Sequence, residues 1–337
     1  MWHITKEKIK RRLRGKFVRT IDSLSWRYWL YPSYWHYRLH GKSGETDLSG
    51  LYHCSRPNAA AGIGHQVSNW AGGCHYAQVY GIKFAYIPFA DKEWDNLLAF
   101  GAGETSLDEL LAKGWRTRRL PLIRHDNERE AALNSKIVKS YAGQRIVFVA
   151  EQDQFYYDLP KLQDVMQSKF YAADKTRDNG LVYTKEHFNI AIHVRRGDIL
   201  TDLSHPDLKA RYLANDYFER VLENVLDGVS VARPVHIYFF SQGTPDDFKE
   251  FWHFANLHWC MDMSAYKSFE HLVHADLLIT SKSSFSYKPA LLSHGIKVCP
   301  PNFWHPYPST QEWIVADSSG SFDSAHLKAL LPYRDNS

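Results

Sequence analysis

The chain has 337 residues, 44% of them hydrophobic and 23% charged, with 19 glycines and 14 prolines. That is the composition of a globular chain with room for about two domains, and it excludes collagen-like, low-complexity and largely disordered classes. Formal net charge is +4, but residues 1–42 hold eleven Lys or Arg against Glu7 and Asp22, a net of +9. The remainder therefore carries −5 by difference. The longest apolar runs, such as Ile146–Ala150 and Ile237–Phe240, fall far short of the roughly 18 residues a membrane-spanning helix needs. Four scattered cysteines, Cys54, Cys74, Cys260 and Cys299, form no metal or disulfide pattern and favour a reducing compartment. The basic N-terminus lacks the apolar stretch of a secretory signal. The expected address is the cytoplasm.

In chain order, Ile9, Leu13, Phe17, Ile21 and Leu24 form a helical stripe flanked by Lys6, Lys8, Lys10, Arg11, Arg12 and Arg14. Such a stripe is the pattern of a helix lying on anionic lipid. Seven aromatics follow between Trp26 and Tyr37, and amphipathic rings suit a headgroup layer. The expectation for residues 1–42 is therefore peripheral contact with the inner membrane surface. Docking on the protein's own core and a nucleic-acid arm are the alternatives, and the acidic body counts against nucleic acid as a partner.

From residue 51 strands and helices alternate. Strands are predicted at Leu51–Arg56, Lys83–Ile87, Ile146–Ala150, Asn189–Val194, Val235–Phe240, Trp259–Met261, Leu277–Thr280 and Ile296–Val298. Helices are predicted at Val67–Tyr80, Asp216–Leu226 and Pro245–Ala255, the last with Thr244 as N-cap and Pro245 at its first position. Alternation of this kind implies an α/β chain with mostly parallel sheets. The polar stretch Ala172–Lys185 is the expected boundary, giving an arm (1–44), a first domain (45–185) and a second (186–337).

Three segments carry the chemistry. Asn189–Val194 runs into Arg195, Arg196, Gly197 and Asp198, and ligands of α/β proteins gather at the carboxyl ends of strands. Guanidinium forks there suit a diphosphate, since they bind phosphate oxygens bidentately and keep their charge. A strand-closing Arg–Asp ion pair is the plainer alternative. Gly62-Ile-Gly-His-Gln66 reads as a glycine turn that brings backbone N–H groups to an anion at a helix start. Val67 stands where a dinucleotide fingerprint needs its third glycine, which disfavours NAD. Ser281-Lys-Ser-Ser-Phe-Ser286 offers hydroxyls and free N–H groups for ribose or phosphate oxygens, or simply a helix cap. Eighteen histidines form no ligand motif, and no D-x-D occurs, so no metal is expected.

His193-Val-Arg-Arg-Gly-Asp198 resembles the first signature of the GDP-fucose-dependent fucosyltransferases. Asn215-Asp-Tyr-Phe218, Tyr238-Phe-Phe-Ser-Gln242 and Ser281-Lys-Ser-Ser-Phe-Ser286 are similar to later signatures, in the order of the α1,2 branch. Gly62-Ile-Gly-His-Gln66 is similar to an early loop of that family, with His65 in place of Asn. The resemblance implies a GT-B-like α/β fold, two Rossmann-like domains facing a cleft. It implies an inverting, metal-independent transfer of fucose from GDP-fucose to a glycan hydroxyl, with no cofactor besides the donor. Another GDP-sugar, such as GDP-mannose, is the alternative donor, and a non-catalytic, membrane-associated nucleotide-binding protein the alternative class.

Carried over residue by residue, His193 would contact the nucleoside and Arg195 and Arg196 the phosphates. Arg196 would stabilise the departing diphosphate. Ser241, Ser281, Ser283, Ser284 and Phe285 would complete the donor site with Gly62, Gly64 and His65. Asp262 matches in order an aspartate that reads guanine in the α1,6 branch. The family's glutamate base has no counterpart, since position 203 is leucine, so Asp198 and Glu151 stand as candidates alongside Asp202 and His205.

Overall fold

A computed structural model describes residues 24–41, 44–123, 127–150, 159–174, 180–200, 204–261 and 263–331. The stripe before Leu24, Glu151, Asp202 and Asp262 lie outside these residues, as does the side chain of Asp198.

The chain divides into two compact units, one of residues 1–58, 69–88 and 103–155, the other of 59–68, 89–102 and 156–337. The expected boundary at 185 differs from this division. Two short excursions, one carrying the glycine turn, belong to the second unit, as does everything from residue 156.

In the first unit, helices α1 (Leu24–Trp29) and α2 (Pro32–His40) precede β1 (Leu51–Ser55) and α3 (Ile63–Tyr80, of which residues 63–68 belong to the second unit). Then come β2 (Lys83–Tyr86), helix α4 (Lys92–Leu98, in the second unit), β3 (Thr105–Ser106), α5 (Leu107–Ala112), β4 (Arg116–Arg119), α6 (Glu128–Lys139) and β5 (Ile146–Ala150). The sheet order is β3-β2-β1-β5-β4, and every pairing is parallel. Central strands β1 and β5 are buried almost throughout, as expected where a sheet is covered on both faces.

The aromatic segment packs on this unit. Tyr28, Tyr31 and Tyr34 are buried with Ile137, Val138, Tyr141 and Phe148. The Arg27 guanidinium pairs with Glu130 at 2.6 Å, both side chains nearly fully buried. Docking on the protein's own core therefore holds for these residues: Tyr28 from α1, Tyr34 from α2 and Tyr31, the extended residue that caps α2, all turn inward. Trp29, Leu30, Trp35 and Leu39 remain exposed.

The second unit continues with α7 (Gln163–Asp174), β6 (Phe188–His193), α8 (Pro206–Lys209), α9 (Asn215–Gly228), β7 (Val235–Phe240), β8 (Leu257–Trp259), α10 (Ala265–His274), β9 (Leu277–Ile279), α11 (Ser284–Leu292), β10 (Ile296–Cys299), β11 (Trp313–Val315) and α12 (Ser324–Leu330). Its sheet runs β11-β10-β9-β6-β7-β8, again all parallel. Phe188, Ile190 and Ile192 face Tyr217, Phe218, Val221 and Val225 of α9 and the buried rings of Phe248 and Phe251. The helix expected at Pro245–Ala255 is a 3₁₀ turn ending at Phe251. Thr244 is its N-cap as expected and shares a capping box with Asp247, but Phe248 leaves helical geometry (φ −135°, ψ 44°) and its ring packs on Phe239.

Candidate functional site

Strand β6 is fully buried and central, so its carboxyl end emerges at the middle of the sheet edge. His193 ends the strand. Its Nδ1 lies 2.8 Å from Ser281 Oγ, and its ring packs 5.4 Å from that of Phe285. Burial, reinforced by Arg195 and Arg196, pushes its pKa down to about 3. The imidazole is neutral at working pH and acts by hydrogen bonding and packing, not by charge.

The two arginines diverge, as side chains of consecutive residues leaving a strand do. Arg195 Nη1 donates to Ser283 Oγ at 3.0 Å and stays half-exposed. Arg196 is buried. Its Nη1 donates to Arg195 O at 2.8 Å, its Nη2 donates to Asn215 Oδ1, and its guanidinium lies over the rings of Tyr212 and Phe248 at 5.0 and 5.7 Å. Asn215 in turn donates to Glu250 and to Asp247 O. Arg195 thus faces the serine loop, while Arg196 is locked in an aromatic and amide cage. Gly197 follows at φ +67°, the left-handed region that a β-carbon disfavours.

The serine loop leaves β9 and opens α11. Ser283 caps the helix, accepting from Phe285 N at 3.2 Å. Ser286 Oγ accepts from Ser281 N at 3.2 Å, folding the loop back on itself. Ser284 Oγ bonds His305 Nε2 at 2.9 Å. Several serines are needed because Ser283 both caps the helix and receives Arg195, while Ser281 and Ser284 tie the loop to His193 and His305.

The glycine turn meets this loop within the same unit. Gly64 packs so closely on Ser284 that a β-carbon there would stand 2.7 Å from Ser284 Cβ and 2.9 Å from its carbonyl carbon and oxygen. Gln66 pins the turn, donating to Ala61 O and accepting from Ala90 N. The first turn of α3 and the first turn of α11 therefore converge, and both present the positive end of a helix dipole. Gly62 has open space around its α-carbon, and His65 N donates to Gly62 O as the helix begins. Gly64→Ala is expected to force these helix starts apart and cost about 1–3 kcal/mol of stability. Urea denaturation checks it, and an unchanged midpoint contradicts so close an approach.

Ser241 takes a structural role. Its hydroxyl donates to Val194 O at 2.8 Å, bridging the ends of β6 and β7. His205 is exposed. Three participants escaped the sequence reading: Tyr212 beneath Arg196, His305 behind Ser284, and Lys288, fully buried one turn along α11. The run Phe303-Trp-His-Pro-Tyr307, dense in rings between two prolines, was the available signal for His305.

Comparison with known proteins finds no matching family model and no matching curated protein. Among solved structures the chain is similar to POFUT1 in complex with GDP, at 12% identity over 75% of this chain and 99% of that one, TM-score 0.45. It is similar to a mutant of Arabidopsis thaliana FUT1 in complex with GDP, at 12% identity over 83% of this chain and 77% of that one, TM-score 0.44. It is also similar to the E. coli heptosyltransferase WaaC with ADP-2-deoxy-2-fluoro heptose, at 10% identity over 85% and 100%, TM-score 0.40.

Proposed function

We propose that the chain is a glycosyltransferase that moves fucose from GDP-fucose to a glycan hydroxyl. The observation that carries this reading is the meeting of the Arg195–Ser283 and His193–Ser281 pairs with the converging helix starts at Gly64 and Ser284. A concentration of N–H donors and one half-exposed guanidinium is what a diphosphate requires. Ordered signature segments in the sequence add the guanosine and the fucose to that diphosphate.

In this reading the acceptor hydroxyl attacks the anomeric carbon from the face opposite the diphosphate, so the configuration inverts. Negative charge grows on the departing GDP, and Arg195 with the helix N-termini stabilises it as it forms. Arg196 acts through Arg195, holding the backbone carbonyl of its neighbour and fixing the turn. Phe285 and neutral His193 form an apolar and hydrogen-bonding wall for the nucleoside, and Asp262 accepts the paired donors of guanine. Asp198 and Glu151 are the candidates to take the hydroxyl proton. No metal is required when the cation is a guanidinium, in keeping with the absence of D-x-D from the sequence. Transfer of labelled fucose is therefore expected to run at an undiminished initial rate in excess EDTA, and a tenfold drop restored by Mn²⁺ contradicts the metal-independent reading.

For residues 1–42 we propose an anionic bilayer, on its cytoplasmic face, as partner. Among the described residues no helix is long and apolar enough to cross a membrane. Helices α1 and α2, however, bury Tyr28, Tyr31 and Tyr34 and leave Trp29 (45% exposed), Trp35 (47%) and Leu39 (77%) on the surface, in a segment whose net charge is +9. Each basic residue near an anionic leaflet contributes about 1 kcal/mol. Sedimentation with phosphatidylglycerol vesicles is expected at low salt, weakened by Trp29→Ala/Trp35→Ala and absent with phosphatidylcholine alone. Equal binding to both lipids, or to neither, removes the membrane from the account.

A further inference from the structure

Behind the serine loop lies a pair of basic groups that the proposed transfer does not use. Lys288 is completely buried, and among the described residues its Nζ has no hydrogen-bond partner. It stands four residues after Ser284 on α11, hence on the same face, and helical side chains lean toward the N-terminus. Lys288 thus shares a helix face with Ser284, which meets Gly64 at the helix start. His305, almost fully buried, lies alongside and bonds Ser284 through Nε2.

Among the described residues, the titratable groups that pack on this pair bring no negative charge. Tyr287 lies beneath the amine at 5.1 Å and stacks on His305 at 4.7 Å. Burial pushes the hydroxyls of Tyr287, Tyr307 and Tyr217 up, and the Cys299 thiol up to about 12. All are neutral at pH 7. Phe303 and Trp313 complete an aromatic surround. A buried ammonium without a counter-ion is costly, so burial pulls the Lys288 pKa far down. Burial and Lys288 together hold His305 near 2. The pair is an uncharged base waiting for an anion.

We infer that Lys288, with His305 and Ser284, is a proton-accepting column behind the phosphate site, so that a bound diphosphate draws a proton from solvent into the protein. The proposal rests on the reading of this site as one that takes a nucleoside diphosphate. On binding, the anion's charge favours the protonated form of the pair. The proton comes from the buffer and resides on the coupled pair, and Ser284 Oγ hydrogen-bonds His305 on the side facing the helix start. No bond of the nucleotide is made or broken. Positive charge then reaches the diphosphate from behind only when the diphosphate is present, and the empty site carries no unpaired buried cation. Sequence order gives the same reading a purpose: Ser284 and Lys288 share a helix face in a stretch that otherwise buries Ser286, Tyr287, Ala290 and Leu291.

The test is calorimetric titration of the full chain with GDP at pH 7.5 in buffers of different ionisation enthalpy. The observed heat is expected to rise with buffer ionisation enthalpy, with a slope of about one proton taken up per GDP, and affinity to fall up to about tenfold per pH unit above 7.5. Lys288→Met, similar in length and apolar, is expected to fold, to melt higher, and to bind GDP more weakly with no buffer dependence. Should it fail to fold, His305→Gln is expected to show a smaller slope than the parent. GDP binding with buffer-independent heat, or an undiminished slope in the variants, overturns the inference and leaves the donor reading standing. If GDP does not bind, the donor reading fails, and inorganic pyrophosphate replaces it: binding with proton uptake upholds the column, and binding without uptake, or no binding, overturns it.

Discussion

Arg195→Lys is expected to lower kcat/KM for fucose transfer by two to three orders of magnitude, about 3–4 kcal/mol of transition-state stabilisation. Arg195 Nη1 reaches Ser283 Oγ at 3.0 Å, which aims the fork at the loop where the diphosphate is proposed to sit. An ammonium places one point charge where two parallel donors stood. Affinity for GDP should fall less, because the charge on the diphosphate grows most as the sugar departs. Arg196→Lys should differ in kind. Its guanidinium spans Asn215, Tyr212 and Phe248, so that variant should lose thermal stability as well as turnover. Near-normal turnover in Arg195→Lys would take this arginine out of the chemistry.

A second large effect is acid lability. His53 is buried on β1 with Nδ1 2.9 Å from Gly73 O, and burial lowers its pKa to about 4. Burial likewise holds His193 near 3 and His305 near 2. In the unfolded chain all three titrate near 6.5. Between that value and about 4 the unfolded state binds protons that the native state refuses, so stability is present above pH 6.5 and falls as the pH drops. Each such group contributes up to about 1.4 kcal/mol per pH unit, together about 4 kcal/mol per unit as the limiting slope. Against a typical total of about 5–15 kcal/mol, the protein should unfold near pH 5. Urea denaturation at pH 7.5, 6.5 and 5.5 measures it, and a flat stability over that range would mean these histidines are not buried neutral.

Much of the α/β frame was legible because its strands are apolar runs of the right length. Ile146–Ala150 and Val235–Phe240 have the bounds expected from sequence, and α3 differs by one turn at its start. Strand β4 was missed because its four residues include three arginines. What holds it in the sheet is pairing with β5, Arg116 against Ile146 onward, a tertiary fact that hydrophobic pattern does not encode. Residues 59–68 and 89–102 belong to the second unit without a change in composition that would mark them in the sequence.

In the site, the strand end and the serine loop were visible as motifs. Adjacency in sequence made Arg195 and Arg196 look equivalent, whereas alternation along an extended backbone sends them to different surroundings. His305 bonds a serine 21 residues away, and Lys288 reads as an ordinary helical lysine until its burial is known. Such partnerships have no period and no local signature. The tyrosines of α1 and α2 show the converse, since a core-facing and a lipid-facing aromatic look alike in sequence and only packing separates Tyr28 from Trp29.

The most direct test is to incubate the full chain with GDP-fucose and no acceptor and follow free fucose and GDP by NMR. A site that stabilises the departing diphosphate should release both slowly and in equal amounts, with water as acceptor, and Arg195→Ala should abolish the release. An intact donor in the presence of chain that demonstrably binds GDP would contradict the account, and would make this protein a nucleotide-binding module rather than a transferase.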